Sequence, residues 1–74
     1  MNLATKREEL NRSPVRRVYD LGHRIMYFRS HSGKMHFFVF DEGSDDFVQI
    51  TDLYIEDSDA ALDAWKDEWL LGKR

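Results

Sequence analysis

Met35-His36-Phe37-Phe38-Val39-Phe40 is the stretch from which the fold is read. Neighbouring side chains of a strand point to opposite faces. Met35, Phe37 and Val39 therefore face one way and His36, Phe38 and Phe40 the other, so both faces carry large apolar groups. Such a strand belongs at the centre of a sheet, covered on both sides or by a partner. Just upstream, His31-Ser32-Gly33-Lys34 supplies a turn, because glycine enters positive φ at little cost. His23 through Ser30 alternates before that turn, with Ile25, Tyr27 and Arg29 on one face and Arg24, Met26 and Phe28 on the other. Downstream, Asp41-Glu42-Gly43-Ser44-Asp45 makes a second turn, and Phe47-Val48-Gln49-Ile50 reads as the third strand of a meander. Leu53-Tyr54-Ile55 extends that strand or leads into the next element.

The segment Val15-Arg16-Arg17-Val18-Tyr19-Asp20-Leu21 has two readings. Ser13 as N-cap, Pro14 at the first helical position and Gly22 as the stop describe a helix. β-Branched and aromatic content, with Val15, Arg17, Tyr19 and Leu21 on one side, describes a strand. Composition favours the strand and punctuation the helix; the strand is adopted here. The C-terminal element is plainer. Asp57 or Ser58 caps a helix, Asp59 suits the positive end of its dipole, and Leu62, Trp65 and Trp69 recur at i, i+3 and i+7. Gly72 stops it, with Lys73 and Arg74 near its negative end.

The first dozen residues hold only Leu3 and Leu10 as sizeable apolar groups, and two leucines bury little. They read as a mobile arm. The expected fold class is α+β: a small antiparallel sheet of three or four strands in a meander, packed by the C-terminal helix, with a flexible basic N-terminal arm. Residues 1–12 form the arm and residues 13–74 a single α+β domain. Seventy-four residues leave no room for a second domain. The size, and the lack of a coiled-coil repeat, make a monomer the default.

Charge is split along the chain. Residues 1–36 hold eight basic against three acidic side chains, a net of +5; residues 37–74 hold three against eleven, a net of −8. Opposite poles on so short a chain point to surface binding. Lys6, Arg7, Arg12, Arg16 and Arg17 form a basic run on or beside the arm, suited to a nucleic-acid backbone or an acidic protein groove. The acids from Asp41 through Glu68 read first as a solvated helix face and turns, and second as a mimic of phosphates or a dock for a basic protein. With no cysteine there is no thiolate zinc site and no disulfide. His23, His31 and His36 match no metal-ligand spacing, and Asp41, Glu42, Asp45 and Asp46 lack the order and distal glutamate of a calcium loop. Neither a nucleophile elbow nor a glycine-rich phosphate cradle is present, so the reading is a binding protein with no catalytic residue, metal or cofactor. No stretch has the length of a membrane span, and the N-terminus lacks an apolar signal region, so the chain reads as soluble and unexported.

Met1-Asn2-Leu3-Ala4-Thr5-Lys6-Arg7, the basic segment after it and the aromatic run Phe37-Phe38-Val39-Phe40 give the whole chain a resemblance. It resembles the small RNA-polymerase-binding transcription regulators of lytic Xanthomonas phages. The resemblance implies a protein of the host bacterial cytoplasm that inhibits initiation, through loss of the sigma factor or a restrained clamp. It also implies suppression of intrinsic termination by occupying the RNA exit channel. The implied contacts are the N-terminal region of the polymerase β′ subunit and elements around the exit channel, with the elongation factor NusA as collaborator and the nascent RNA within reach. On that view Lys6, Arg7, Arg12, Arg16 and Arg17 serve the channel or its RNA, and the body supplies polymerase affinity. Two alternatives remain: an acidic phage inhibitor of another host nucleic-acid-binding protein, and a small RNA-binding module.

Overall fold

A computed structural model describes residues 3–72. The order of elements is α1 (Leu3–Asn11), β1 (Arg17–Asp20), β2 (Ile25–His31), β3 (Lys34–Asp41), β4 (Asp46–Leu53) and α2 (Asp59–Gly72). The strands form one antiparallel sheet in the order β1-β2-β3-β4, a meander. The α+β class, the sheet and the C-terminal helix are as expected.

Local chemistry sets each turn. Ser32 (φ 53°) and Gly33 (φ 77°) both lie at positive φ between β2 and β3, the backbone of a tight two-residue hairpin whose twist matches its strands. Tyr27 faces Phe38, and Phe28 faces Phe37, across that hairpin. Between β3 and β4 the Asp41 carboxylate accepts from the amides of Gly43 (3.3 Å) and Ser44 (3.2 Å). β4 is longer than the Phe47–Ile50 strand read from sequence. Phe37 pairs with Thr51 and Phe38 with Gln49, so Ile50 is an extra residue, a bulge that bends the strand and obscures its alternation. The ambiguous 15–21 segment contains strand β1, and Arg16 N–H donates to the Phe28 carbonyl (2.7 Å) beyond its end.

The sheet has two apolar faces with different covers. On one, Tyr19, Met26, Phe28, Met35, Phe37, Val39, Leu53 and Leu62 form a buried cluster with Trp65, Trp69, Leu70 and Ile55 packed against it. Helix α2 supplies this cover. Ser58 Oγ caps it by accepting from the Ala61 amide (3.2 Å). Its Trp65 and Trp69 rings meet Phe37 edge-on, with centroids 4.7 and 5.4 Å away. Lys73 and Arg74, expected near its end, lie outside the described residues.

The other face gathers Leu10, Ile25, Tyr27 and Phe40, with Leu3, Val15, Phe38 and Phe47 at its margin. Its cover corrects the mobile-arm expectation for residues 1–12: Leu3–Asn11 is a helix lying on the sheet. Leu3 and Leu10 are seven residues apart, two turns on one face, and Leu10 is only 6% exposed. Lys6 sits between them and is itself buried, its methylene stem lying on apolar surface while its ammonium finds carboxylates. Counting leucines alone missed that stem. Ser13 ends the helix, its N–H and Oγ donating back to the carbonyls of Leu10 and Glu9, and Pro14 follows.

Replacing Leu10 by alanine should cost about 2–3 kcal/mol, at the low end for a buried leucine because the short α1 can resettle over the gap. Denaturant melts check this, and an unchanged midpoint would show that α1 adds nothing to the fold.

Candidate binding surface

The two charged halves of the sequence meet in space. Arg16 of the loop before β1 pairs with Asp57 and with Asp59 (3.3 Å). Arg17 of β1 pairs with Asp59 (3.4 Å) and Asp63 (3.4 Å). Tyr19 Oη donates to Asp63 as well. Together these contacts fasten the first half of α2 to the sheet edge, with cations beside a helix whose first turn carries Asp59. On the opposite face Lys6 Nζ meets Asp46 (3.3 Å) and Glu9 (3.5 Å). Arg7 Nε meets Asp20 (2.6 Å), and its other nitrogen donates to the Gly22 carbonyl. Of the five basic residues singled out from sequence, four are thus held in intramolecular ion pairs. Arg12, exposed just after α1, makes no ion pair among the described residues. The five do not form one patch: Lys6 and Arg7 lie on the α1 face, Arg16 and Arg17 beside α2. Exposed ion pairs add little stability, but each is locally neutral, so the paired cations offer an incoming anion little net charge.

These pairs shape the pH response. The Arg7 guanidinium, then the Gly22 amide, hold the Asp20 carboxyl below its ordinary value. The Phe47 amide and Lys6 do the same for Asp46. Carboxyls lowered in this way stabilise the fold above their unfolded value, and the stabilisation is lost as pH falls through the folded value. Tyr19 moves the other way. Burial first, and the Asp63 hydrogen bond second, push its hydroxyl up to about 12. That stabilisation is complete below the unfolded value near 10 and disappears as pH rises towards about 12. Burial raises the Tyr27 hydroxyl as well, so an ultraviolet phenolate titration should show two delayed tyrosines ionising together with unfolding. Tyr19→Phe should shrink that alkaline step by one phenolate; an identical alkaline titration and melt in the variant would contradict the assignment.

Helix α1 covers only one end of its face, over Ile25, Phe40 and Phe47 and anchored at Asp20 and Asp46. The other end of the same face is open. Alternation along β2 and β3 places Arg29, His31, Lys34, His36 and Phe38 there. Phe38 stacks flat on Tyr27, with centroids 4.7 Å apart and planes at 7°. The Arg29 guanidinium lies 5.9 Å from the Tyr27 centroid. The imidazoles of His31 and His36 are 5.9 Å apart. Arg29, His31, His36, Phe38 and Gln49 line a shallow cleft of about 250 Å³. At the hairpin end, Lys34 Nζ lies 5.7 Å from the ring of Tyr54, which is 83% exposed. Asp52 is the acid on this surface. It is occupied by His36 Nδ1 (2.6 Å) and by the Gln49 amide. Arg29 and Lys34 make no ion pair among the described residues.

Sequence reasoning did not single out Arg29, Lys34 or Tyr54. Alternation was the available signal, since it already placed Arg29 beside Tyr27; the basic run near the N-terminus drew attention away from it. A second cleft, about 310 Å³, lies on the α2 side between Arg24, Val39, Val48, Ile50 and Trp69, with Arg24 5.7 Å from the Trp69 ring. Among the described residues, no three His, Asp or Glu side chains gather as a metal site, and no helix is long and apolar enough to cross a membrane.

Neither a family model, nor a curated protein, nor a solved structure matches this chain.

Proposed function

We propose that this chain is a regulator, without catalysis of its own, that binds bacterial RNA polymerase, restrains initiation and suppresses intrinsic termination at the RNA exit channel. The resemblance carried by the opening Met1–Arg7 and by Phe37–Phe40 supports this reading. The observation that carries it furthest is the open half of the α1 face, where Arg29 and Lys34 stand beside Phe38 and Tyr54 on a braced sheet. Cations unanswered by carboxylates suit a channel that carries an RNA backbone, and a sheet backed by α2 presents them without an ordering cost.

The contact with channel or RNA passes in this reading from the basic run to Arg29 and Lys34, with Arg12 the member of that run left unpaired. The β′ N-terminal region is the protein contact and NusA the collaborator. The acidic alternative is weakened by Asp57, Asp59 and Asp63, which answer Arg16 and Arg17 within the chain. Affinity capture from a bacterial lysate with the full chain tests the reading. RNA polymerase subunits should be the main captured species, and their absence would end it.

A further inference from the structure

We infer that the open half of the α1 face is a binding site for single-stranded RNA, with bases stacked on Phe38 and Tyr54 and the backbone held by Arg29 and Lys34. This deepens the polymerase reading, and rests on it for its setting, by naming what the face takes.

The Phe38 ring already lies flat on Tyr27, which orients it, and the side chain stays partly exposed. A base laid on that ring continues an existing stack. Tyr54 offers a second ring at the other end of the site. Lys34, over that ring, is four residues from Phe38 along β3, roughly 14 Å at the rise of a strand. A short single strand spans that distance, whereas a duplex keeps its bases stacked on one another and offers these rings no face. Arg29, opposite His36, lies between the two ends, where the linking phosphates pass, and His31 sits across from Lys34 at the hairpin end.

Charge argues for the same occupant. On this half of the face the permanent cations are Arg29 and Lys34, and the facing acid is Asp52, in contact with His36 and Gln49. At the covered end, Asp20 and Asp46 are answered by Arg7 and Lys6. An anion therefore meets positive charge at the open end and near-neutral pairs at the other. Gln49 favours ribose over deoxyribose. Its amide nitrogen donates to Asp52, which leaves the carbonyl oxygen of this cleft-lining residue as an acceptor. A 2′-hydroxyl donates to such an oxygen, and deoxyribose has none to offer.

Fluorescence anisotropy with a labelled ten-nucleotide single-stranded RNA, the full chain and no polymerase tests the site. Binding should strengthen as salt is lowered, and DNA of the same sequence should bind at least threefold more weakly. Tyr54→Ala and Phe38→Leu should each weaken binding at least fivefold. Arg29→Gln combined with Lys34→Gln should flatten the salt dependence by about 1.4 in log–log slope, about 0.7 for each lost contact. Tyr54 is exposed and Phe38→Leu keeps apolar bulk, so both variants should keep the wild-type circular dichroism. Absence of binding at low salt, indifference to these substitutions, or equal affinity for DNA would overturn the inference. Capture of polymerase by the same preparations reports separately on the reading beneath it.

Discussion

Phe37→Ala is expected to remove about 3–5 kcal/mol of stability, the usual cost of emptying a buried phenylalanine site. Phe37 is fully buried at the centre of β3. Its ring touches Phe28 (4.9 Å), Trp65 (4.7 Å) and Trp69 (5.4 Å), and so joins the sheet to α2. A domain of this length commands about 4–11 kcal/mol in all, at about 0.05–0.15 kcal/mol per residue. The substitution therefore consumes much or most of it. Each kcal/mol lowers the melting temperature of so small a domain by about 4–8 °C, so a fall of at least ~12 °C should be seen, and partial unfolding at room temperature is the extreme. Trp65→Ala should act in the same direction, since that ring is α2's deepest aromatic contact with Phe28 and Phe37. Phe37→Leu, which preserves most of the volume, should cost about 1.5 kcal/mol or less. A Phe37→Ala melt within a few degrees of wild type would mean that α2 is held by something other than this aromatic contact.

The second large effect concerns function. Arg29→Glu combined with Lys34→Glu should weaken polymerase association between tenfold and a hundredfold, about 1.4–2.8 kcal/mol. Reversal turns attraction to the RNA backbone in the channel into repulsion, and like charges facing across an interface are heavily penalised. Both side chains are exposed and form no ion pair among the described residues, so the fold should be indifferent to the change. Reversing Arg16 and Arg17 is the instructive contrast. Their partners are Asp57, Asp59 and Asp63, so that pair should lower the melting temperature and affect association only through the fold.

The meander was legible in the sequence because alternation and turn chemistry agreed. Phe37 and Phe38 fell on opposite faces as read, Ser32-Gly33 formed the hairpin, and Leu62, Trp65 and Trp69 gave α2 its buried stripe. Two things were not legible. Helix α1 depends on Lys6, whose stem is apolar and whose head is charged, so a count of hydrophobic residues cannot weigh it. The pairing of the poles joins residues some forty positions apart, such as Arg16 with Asp57. Nothing local announces it; it follows only once β1 is known to lie beside α2. The basic run thus looked like a free patch, while Arg29 and Lys34, two of the cations left without an ion pair among the described residues, sat inconspicuously within strands chosen for their apolar pattern.

The most direct test of the central claim is analytical gel filtration of a bacterial RNA polymerase elongation complex, with nascent RNA in its exit channel, with the wild-type chain and with the Arg29→Glu/Lys34→Glu variant. The account predicts that the wild type co-elutes with polymerase while the equally well-folded variant elutes alone. Co-elution of both to the same extent, or of neither, would contradict it.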